Sequence, residues 1–374
     1  MTQTAAIGMT SITAVAAFVF SLLLTPLVAR ACLRAGILDR PGPLKIHARP
    51  VPRLGGIAVT ISIIAAAFAT PASRAAMPWP FVAGLVLICF TGFVDDVRGL
   101  SPAVRLAAQF LAAFALWYTG WKIPGLPAGP ANVSAAWSLV ATSICVAAFC
   151  NALNFLDGAD GIAAGTTAIL ALAYILLPAA LTSALTRDIA SALLASCLGF
   201  LVFNFPPAKI FLGDCGSTAL GFCAAFLALD FYRTNGAHGA TGAITPNATT
   251  AAFLAFPLIL AGLPLLDAAL AVIRRLKHGG SPLYGDRRHS YDLLLARGWS
   301  PRRVAFACYS ITAALAAVGC LALRFNPRAL IPAGCAAVIL LLAPAIRLGA
   351  LRTASEKPQP PQPQSSCRDL SLTR

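Results

Sequence analysis

The chain has 374 residues, of which 58% are hydrophobic and only 11% are charged, and its mean hydropathy is +0.79. Soluble domains carry roughly 25% charged residues, so the composition excludes a soluble protein and indicates a membrane protein. The formal net charge of +15 suggests nucleic-acid binding at first sight. In a protein with many membrane spans, however, excess Lys and Arg normally mark the cytoplasmic loops, so we expect no nucleic-acid partner.

Apolar runs that are long enough to cross a bilayer, about 20 residues each, follow one another through most of the chain. They predict an all-α, polytopic integral membrane protein with about eleven transmembrane helices. The predicted spans lie at roughly 7–30, 54–73, 79–94, 102–121, 134–153, 162–182, 190–206, 217–233, 251–273, 303–323 and 329–348. The Pro-, Gln- and Ser-rich residues 351–374 predict a disordered tail.

The distribution of charge predicts the orientation of these spans. With eleven spans, alternate connectors and the C-terminal tail share one side, and 22 of the 28 Lys and Arg residues lie there or at the adjoining span ends. This side is therefore predicted to be cytoplasmic, with the C-terminus on it and the N-terminus on the opposite side of the membrane. A lipid bilayer is the expected surrounding.

Carboxylates from several distant connectors fall on the same predicted cytoplasmic face. The acids placed there are Asp95, Asp96, Asp157, Asp160, Asp214, Asp286 and Asp292. Asp267 is expected about two turns inside this face, whereas Asp188 is expected in an outer loop. A transporter would be expected to bury its important charges near the middle of the bilayer. The pattern instead indicates one active site on the cytoplasmic face, within a single transmembrane catalytic domain over residues 1–350.

Two motifs contribute paired acids to this site. In "DDVRGLSP", Asp95 and Asp96 end the third span, and adjacent helical residues do not face the same direction, so we expect them to do different jobs. In "NALNFLDGADG", Asn154, Asp157 and Asp160 follow an apolar run with glycines beside each Asp. This second motif is similar to the first half of the CDP-alcohol phosphotransferase signature, but the rest of that signature is absent, which excludes that family.

A third motif, "KIFLGDCGS", places Asp214 at the expected N-cap of the eighth span. The N–H groups at the start of that helix would suit phosphate oxygens, and Phe211 could stack on a base. Oxygen ligands without His or Cys suit Mg²⁺, with Mn²⁺ as an alternative, and such an ion often joins carboxylates to substrate phosphates. These motifs and the basic loops around them indicate metal-assisted phosphoryl chemistry on a diphosphate donor, with a lipid acceptor.

At this point the chain resembles the polyprenyl-phosphate N-acetylhexosamine-1-phosphate transferases, the MraY/WecA-like family (glycosyltransferase family 4). The matching blocks run in order from about residue 37 to residue 303: "KIHARPVPRLGGIAV", "DDVRGLSP", "NALNFLDGADGIAAG", "KIFLGDCGSTALGF" and "PLLDAALAVIRRLKHGGSP". The resemblance implies transfer of an N-acetylhexosamine 1-phosphate from a UDP-sugar donor to undecaprenyl phosphate, with release of UMP, as the first step of a lipid-linked surface polysaccharide such as O-antigen.

The resemblance also implies roles for individual residues. Asn154 and Asp214 would bind Mg²⁺, while Asp95, Asp96, Asp157 and Asp160 would be catalytic. The implied substrate-binding residues are Lys45, His47, Phe211, Arg287, Arg288 and His289. Lys45 and His47 would line the phosphate end of the site, and Phe211 would stack on uracil. A homodimer is compatible with the sequence.

The last cytoplasmic loop departs from the pattern of many relatives. Where they carry His-x-His-His, this chain reads "GDRRHSYDLL", with His289 alone. The loop resembles the O-antigen branch that accepts modified sugars, and it matches the phospho-MurNAc-pentapeptide transferases less well, although such a transfer is the alternative activity. A secondary transporter of an anion and an inactive scaffold are the alternatives from other classes.

Overall fold

Helices follow one another along the chain in the computed structural model, which describes residues 3–40, 49–124, 131–236, 248–279 and 288–351. The helices are α1 (Gln3–Ala35), α2 (Gly55–Ala67), α3 (Pro71–Ala76), α4 (Trp79–Arg98), α5 (Pro102–Tyr118), α6 (Ala131–Leu156), α7 (Ile162–Leu176), α8 (Ala184–Asn204), α9 (Asp214–Gly236), α10 (Ala248–Leu260), α11 (Gly262–Lys277), α12 (Ser290–Leu295), α13 (Pro301–Phe325) and α14 (Leu330–Arg347). Two short strands, β1 (Leu38–Asp39) and β2 (Val51–Pro52), pair antiparallel, with Leu38 opposite Pro52. The predicted tail at 351–374 lies almost wholly outside the described residues.

The helices confirm an all-α, polytopic membrane protein. Among the described residues, seven helices are long and apolar enough to cross a membrane, or eight if α10 and α11 together form one span. The apolar helices α2 and α7 are shorter. Each predicted span overlaps at least one helix, but the structure does not confirm the number eleven, which stays a prediction.

One predicted span is bent, and one predicted position needs correction. The predicted single span at 251–273 is two helices, α10 and α11, bent by 79°. Pro264 has no N–H to donate to the carbonyl of Leu260, so the helical hydrogen-bond ladder is interrupted at the bend. Asp188, expected in an outer loop, lies inside the first turns of α8, where it is buried and accepts a hydrogen bond from Ser73 Oγ at 3.3 Å.

Helix α9 is the centre of the bundle, and it is buried from Cys215 to Tyr232. Helices α2, α4, α6, α7, α8 and α10 all pack against it. Glycines make the closest approaches possible: a Cβ on Gly56 of α2, Gly92 of α4 or Gly221 of α9 would overlap the backbone of the neighbouring helix. Backbone contact of this kind holds the ends of these helices close together.

The helix ends that meet at one end of the bundle carry the predicted acids. The C-terminal ends of α4 and α6 meet the N-terminal ends of α5 and α9 there, as the hydrogen bonds described below show. The opposite end carries a different polar cluster around Asp230 of α9. The fully buried Asp230 carboxylate accepts hydrogen bonds from Trp121, Ser183, Thr186 and Arg233.

Candidate active site

Asp96 is the carboxylate that holds the start of α9. Its Oδ1 accepts the backbone N–H of Asp214 at 3.1 Å, and its Oδ2 accepts that of Cys215 at 3.0 Å. A guanidinium nitrogen of Arg53 also donates to Oδ1 at 2.9 Å, and the Asp96 side chain is fully buried. The first two N–H groups of α9, expected to be available to a phosphate, are therefore already bonded to Asp96, and the N-cap position is occupied by Gly213 rather than by Asp214.

Asp95 points towards a different set of partners. Its Oδ1 accepts the backbone N–H of Leu100 at 2.6 Å, and its Oδ2 lies 2.8 Å from Nη1 of Arg105. The same nitrogen is 3.4 Å from Oδ2 of Asp214. The two carboxylates thus have different partners, since Asp96 binds the start of α9, whereas Asp95 shares a cation with Asp214. That they do different jobs stays a prediction.

Asn154 of α6 hydrogen-bonds to Asp214, which shares Arg105 with Asp95. Its amide nitrogen donates to Oδ1 of Asp214 at 2.8 Å and to Oγ of Ser217 at 3.0 Å. Within the described part of the chain, no three His, Cys, Asp or Glu side chains converge as a ligand set. Mg²⁺, however, is usually held by only one or two carboxylates together with waters and substrate phosphates. The side chains of Asn154 and Asp214 therefore fit such an ion.

The loop after α6 adds two carboxylates that line the cleft. Asp160 Oδ2 accepts the backbone N–H of Ala208 at 2.9 Å. Asp157 lies outside the membrane-spanning helices, and burial raises its pKa well above the ordinary value, with further contributions from the negative charges of Asp214, Asp96 and Asp160. A nearby cation would favour the ionised form of this carboxyl group and lower its pKa. This agrees with a metal ion bound by Asn154 and Asp214.

These side chains open into a cleft of about 800 Å³. The residues that line it include Asp39, Arg49, Arg53, Asp157, Asp160, Pro206, Phe211, Asp214 and Arg302. The lining of the cleft thus combines carboxylates, arginines and an aromatic ring. A space of this volume is large enough for a small organic ligand.

Backbone pairing places Phe211 and Arg53 at the cleft. Phe211 donates its N–H to the carbonyl of Pro52 at 2.8 Å and accepts the N–H of Gly55 at 2.9 Å. Leu54, between Arg53 and Gly55, has φ +99°, which is an unfavourable conformation for a residue with a side chain. Strain of this kind persists where the surroundings enforce it, and here it turns the chain so that Gly55 and Gly56 can bond to residues 211 and 212.

His289 is buried and is not among the residues that line the cleft. Its Nδ1 lies 2.6 Å from Oδ2 of Asp267, and Oδ1 of Asp267 accepts the N–H of Ser290 at 2.7 Å. Asp267 of α11 therefore hydrogen-bonds the segment at the start of α12. Arg288 is described, and its carbonyl accepts a hydrogen bond from Arg274. The substrate-binding roles of His289 and Arg288 stay predictions, and Lys45, His47 and Arg287 lie outside the described residues.

Sequence reasoning missed two basic residues of the site, Arg105 and Arg302. Both were counted only as evidence for orientation. Arg105 lies ten residues after Asp95, and "DDVRGLSPAVR" offered that proximity as a signal. Arg302 lines the cleft and donates through Nε to the carbonyl of Pro206 at 2.9 Å, a contact between distant segments that no local pattern reveals.

The fold and the site together define a polytopic membrane protein with a carboxylate-rich cleft at one end of its helix bundle, an arrangement suited to metal-assisted phosphoryl transfer. Residues 78–232 match the family model described as glycosyl transferase family 4. The chain is 33% identical over 346 residues to the decaprenyl-phosphate N-acetylglucosaminephosphotransferase of Mycobacterium tuberculosis, covering 83% of each chain.

Two further relatives agree with this match. A Bacillus subtilis protein named "Probable undecaprenyl-phosphate N-acetylglucosaminyl 1-phosphate transferase" is 30% identical over 305 residues, which cover 79% of this chain and 81% of the relative. The phospho-N-acetylmuramoyl-pentapeptide-transferase of Desulforudis audaxviator is 27% identical over 348 residues, which cover 82% and 96% respectively. The chain belongs to glycosyl transferase family 4, a family of membrane phosphotransferases, and this confirms the resemblance seen in the sequence.

Proposed function

We propose that this protein transfers an N-acetylhexosamine 1-phosphate from a UDP-sugar to undecaprenyl phosphate. An oxygen of the lipid phosphate attacks the phosphorus atom that carries the sugar. A new P–O bond forms there, the bond to the bridging oxygen breaks, and UMP leaves with the bond electrons. The product is a lipid-linked pyrophosphoryl sugar, the starting unit of a cell-surface polysaccharide such as O-antigen.

The observation that carries this proposal is the convergence of Asp95, Arg105 and Asn154 on Asp214, which lines the cleft. Phosphoryl transfer requires little covalent chemistry from the protein and depends on positioning and charge neutralisation. Oxygen donors together with a shared guanidinium can supply both. The names of the relatives support the same chemistry, because two of the three are N-acetylglucosamine 1-phosphate transferases of polyprenyl phosphates.

Asn154 and Asp214 would hold the metal ion, Mg²⁺ or Mn²⁺, which when bound neutralises the charge that develops on the diphosphate. Asp95 and Arg105 would position the lipid phosphate. A phosphate monoester has its second pKa near 6, so the acceptor needs little deprotonation at neutral pH, and Asp95 would position it rather than act as an essential base. Phe211 would stack on uracil, and Arg53 and Arg302 would attract the anionic donor.

We further propose that the cleft opens at the cytoplasmic face of the bacterial inner membrane, with the N-terminus periplasmic. The support is the distribution of Lys and Arg, 22 of which the eleven-span prediction assigns to the same side as the acids. Donor nucleotide sugars are water-soluble, so a site at a membrane surface rather than at mid-bilayer suits this substrate. Labelling of a single cysteine placed at each terminus, in intact and permeabilised cells, tests the orientation.

The experiment that tests the reaction uses the full chain in detergent with undecaprenyl phosphate, Mg²⁺ and a panel of donors: UDP-GlcNAc, UDP-GalNAc, UDP-FucNAc, UDP-QuiNAc and UDP-MurNAc-pentapeptide. We expect release of UMP that requires both the lipid and the metal and that stops on addition of EDTA. Turnover of UDP-MurNAc-pentapeptide alone would replace the proposed donor class by the alternative one.

A matched pair of variants tests the metal ligands. Asp214→Ala is expected to abolish metal-dependent turnover. Asp188→Ala, a buried acid at the opposite end of the bundle, should retain it. Full turnover by Asp214→Ala would contradict the metal assignment, and transport of a UDP-sugar into proteoliposomes without UMP release would favour a transporter.

A further inference from the structure

The loop that carries Asp157 and Asp160, here called the aspartate loop (residues 157–161), is held at both ends by tyrosine hydroxyl groups. Tyr291 of α12 donates its Oη–H to the carbonyl of Phe155 at 2.9 Å, just before the loop. Tyr309 of α13 donates to the carbonyl of Gly161 at 2.7 Å, at the end of the loop. We propose that Tyr291 and Tyr309, the tyrosine bracket, are positioning residues that hold the aspartate loop in the geometry required for turnover.

Glycines in and after the loop make room for the two rings. A Cβ on Gly158 would overlap the phenol of Tyr291, and one on Gly165 would overlap the ring of Tyr309. Gly161 has φ +73°, and a Cβ there would lie 3.1 Å from the Tyr309 hydroxyl. The glycines beside each Asp, noticed in the sequence, thus allow the bracket to approach the backbone of the loop.

Tyr291 is itself held firmly. It is 3% exposed, and its ring stacks on His289 with an interplanar angle of 4° and a centroid distance of 5.5 Å. Asp267 binds His289 and the backbone of Ser290 through its two carboxylate oxygens. The hydroxyl group of Tyr291 therefore has little freedom to leave the Phe155 carbonyl, and the buried pair of Asp267 and His289 acquires a role in positioning.

The catalytic role of the bracket rests on the proposed function, because the aspartate loop lines the cleft in which donor and metal are proposed to bind. A displacement of about 1 Å at a reacting site can lower the rate roughly a hundredfold. The bracket acts on the loop that carries Asp157 and Asp160, whereas Asp95 and Arg105, proposed to position the lipid phosphate, lie in α4 and α5. Loosening it should therefore lower kcat and leave KM for the lipid acceptor unchanged.

The test compares Tyr291→Phe and Tyr309→Phe with Tyr232→Phe in the full chain. Tyr232 is a matched control, because its hydroxyl also donates to a backbone carbonyl, that of Leu254 at 3.0 Å, far from the loop along the same bundle. Each of the three substitutions removes one hydroxyl oxygen and its hydrogen bond to a backbone carbonyl. Amide hydrogen exchange of residues 155–161, the melting temperature, and kcat and KM with UDP-GlcNAc and undecaprenyl phosphate are measured for each.

We expect faster amide exchange over residues 155–161 in the two bracket variants and unchanged exchange there in the control. We also expect kcat to fall about tenfold or more, KM for undecaprenyl phosphate to stay within twofold, and the melting temperature to change equally in all three. Unchanged exchange in both bracket variants would overturn the proposal, as would faster exchange with unchanged kcat. If the wild-type protein turns over none of the tested donors, the proposed function fails, while the exchange measurement still decides whether the bracket holds the loop.

Discussion

Replacing Gly92 by Ala should separate helices α4 and α9, which carry Asp95 and Asp214. Gly92 lies in α4, one turn before Asp95, and a Cβ there would lie 2.5 Å from the backbone N and Cα of Cys215 in α9. Ordinary contacts begin at 3.4 Å, so the helices must move apart by about 1 Å, because backbone atoms cannot rotate out of the way. A displacement of that size can cost roughly a hundredfold in rate, about 2.7 kcal/mol.

The assay is metal-dependent release of UMP by the purified Gly92→Ala variant, with its melting temperature measured in parallel. Overpacking of this kind also costs about 1–3 kcal/mol of stability, so a lower melting temperature is expected. Gly262→Ala is the control, because the added methyl group would meet only the end of the Leu315 side chain, at 3.1 Å. A Gly92→Ala enzyme with kcat within twofold of the wild type would refute the reasoning that this contact sets the geometry of the site.

Three further predictions concern single side chains of the candidate site. Arg105→Ala should lower kcat by about tenfold or more, since the Asp95 and Asp214 carboxylates lose the cation that they share; UMP release measures this. Phe211→Ala should raise KM for the UDP-sugar about tenfold, because stacking on a base is worth roughly 1–3 kcal/mol, and initial rates at varied donor concentration measure it. In EDTA, Asp157→Asn should raise the melting temperature at pH 8 and leave it nearly unchanged at pH 4.

The pH dependence at Asp157 follows from the raised pKa of its carboxyl group. In the unfolded chain this carboxyl group loses its proton near the ordinary pKa of 3.8, whereas in the folded protein it retains the proton to higher pH. Its contribution to the free energy of unfolding is therefore fully present below pH 3.8 and declines as the pH rises above that value. Asn cannot ionise and avoids this loss. An Asp157→Asn variant that is no more stable at pH 8 than the wild type would contradict the conclusion that burial and neighbouring negative charges raise the pKa of Asp157.

Controls for the other two predictions are available in the same region. Arg98→Ala removes an exposed cation at the end of the helix that carries Asp95, and it should keep most of the activity. Phe211→Trp keeps a ring able to stack and should restore a low KM for the donor. Equal losses in Arg98→Ala and Arg105→Ala would point to general attraction of anions rather than to the bridge between carboxylates.

The sequence predicted the helical membrane fold because apolar length is a local property. It also predicted that acids from separate connectors share one end of the bundle, because span parity and the charge of the connectors carry that information. The structure places Asp95, Asp157, Asp160 and Asp214 together at that end. These features depend on spacing along the chain and on residue type alone.

Side-chain direction and contacts between distant segments were not predictable in the same way. Asp95 and Asp96 are adjacent, yet which of them caps α9 depends on where the start of α9 lies in space. His289 was interpreted as a ligand contact, but its burial against Asp267 depends on the packing of α11, which a hydropathy pattern does not describe. Tyr291 was interpreted only as part of the loop of His289, and nothing in the sequence around Tyr309 indicates its partner, the carbonyl of Gly161.

The enclosure of α9 has a consequence for how the chain is assembled. A helix surrounded by α2, α4, α6, α7, α8 and α10 is shielded from lipid, so its polar residues, Asp214, Ser217, Thr218 and Asp230, are accepted by protein rather than by the bilayer. Five of the surrounding helices are synthesised before α9, and one, α10, after it. During biogenesis α9 must therefore join a partly built bundle with one wall still open, and a chain truncated before α10 would leave that wall facing lipid.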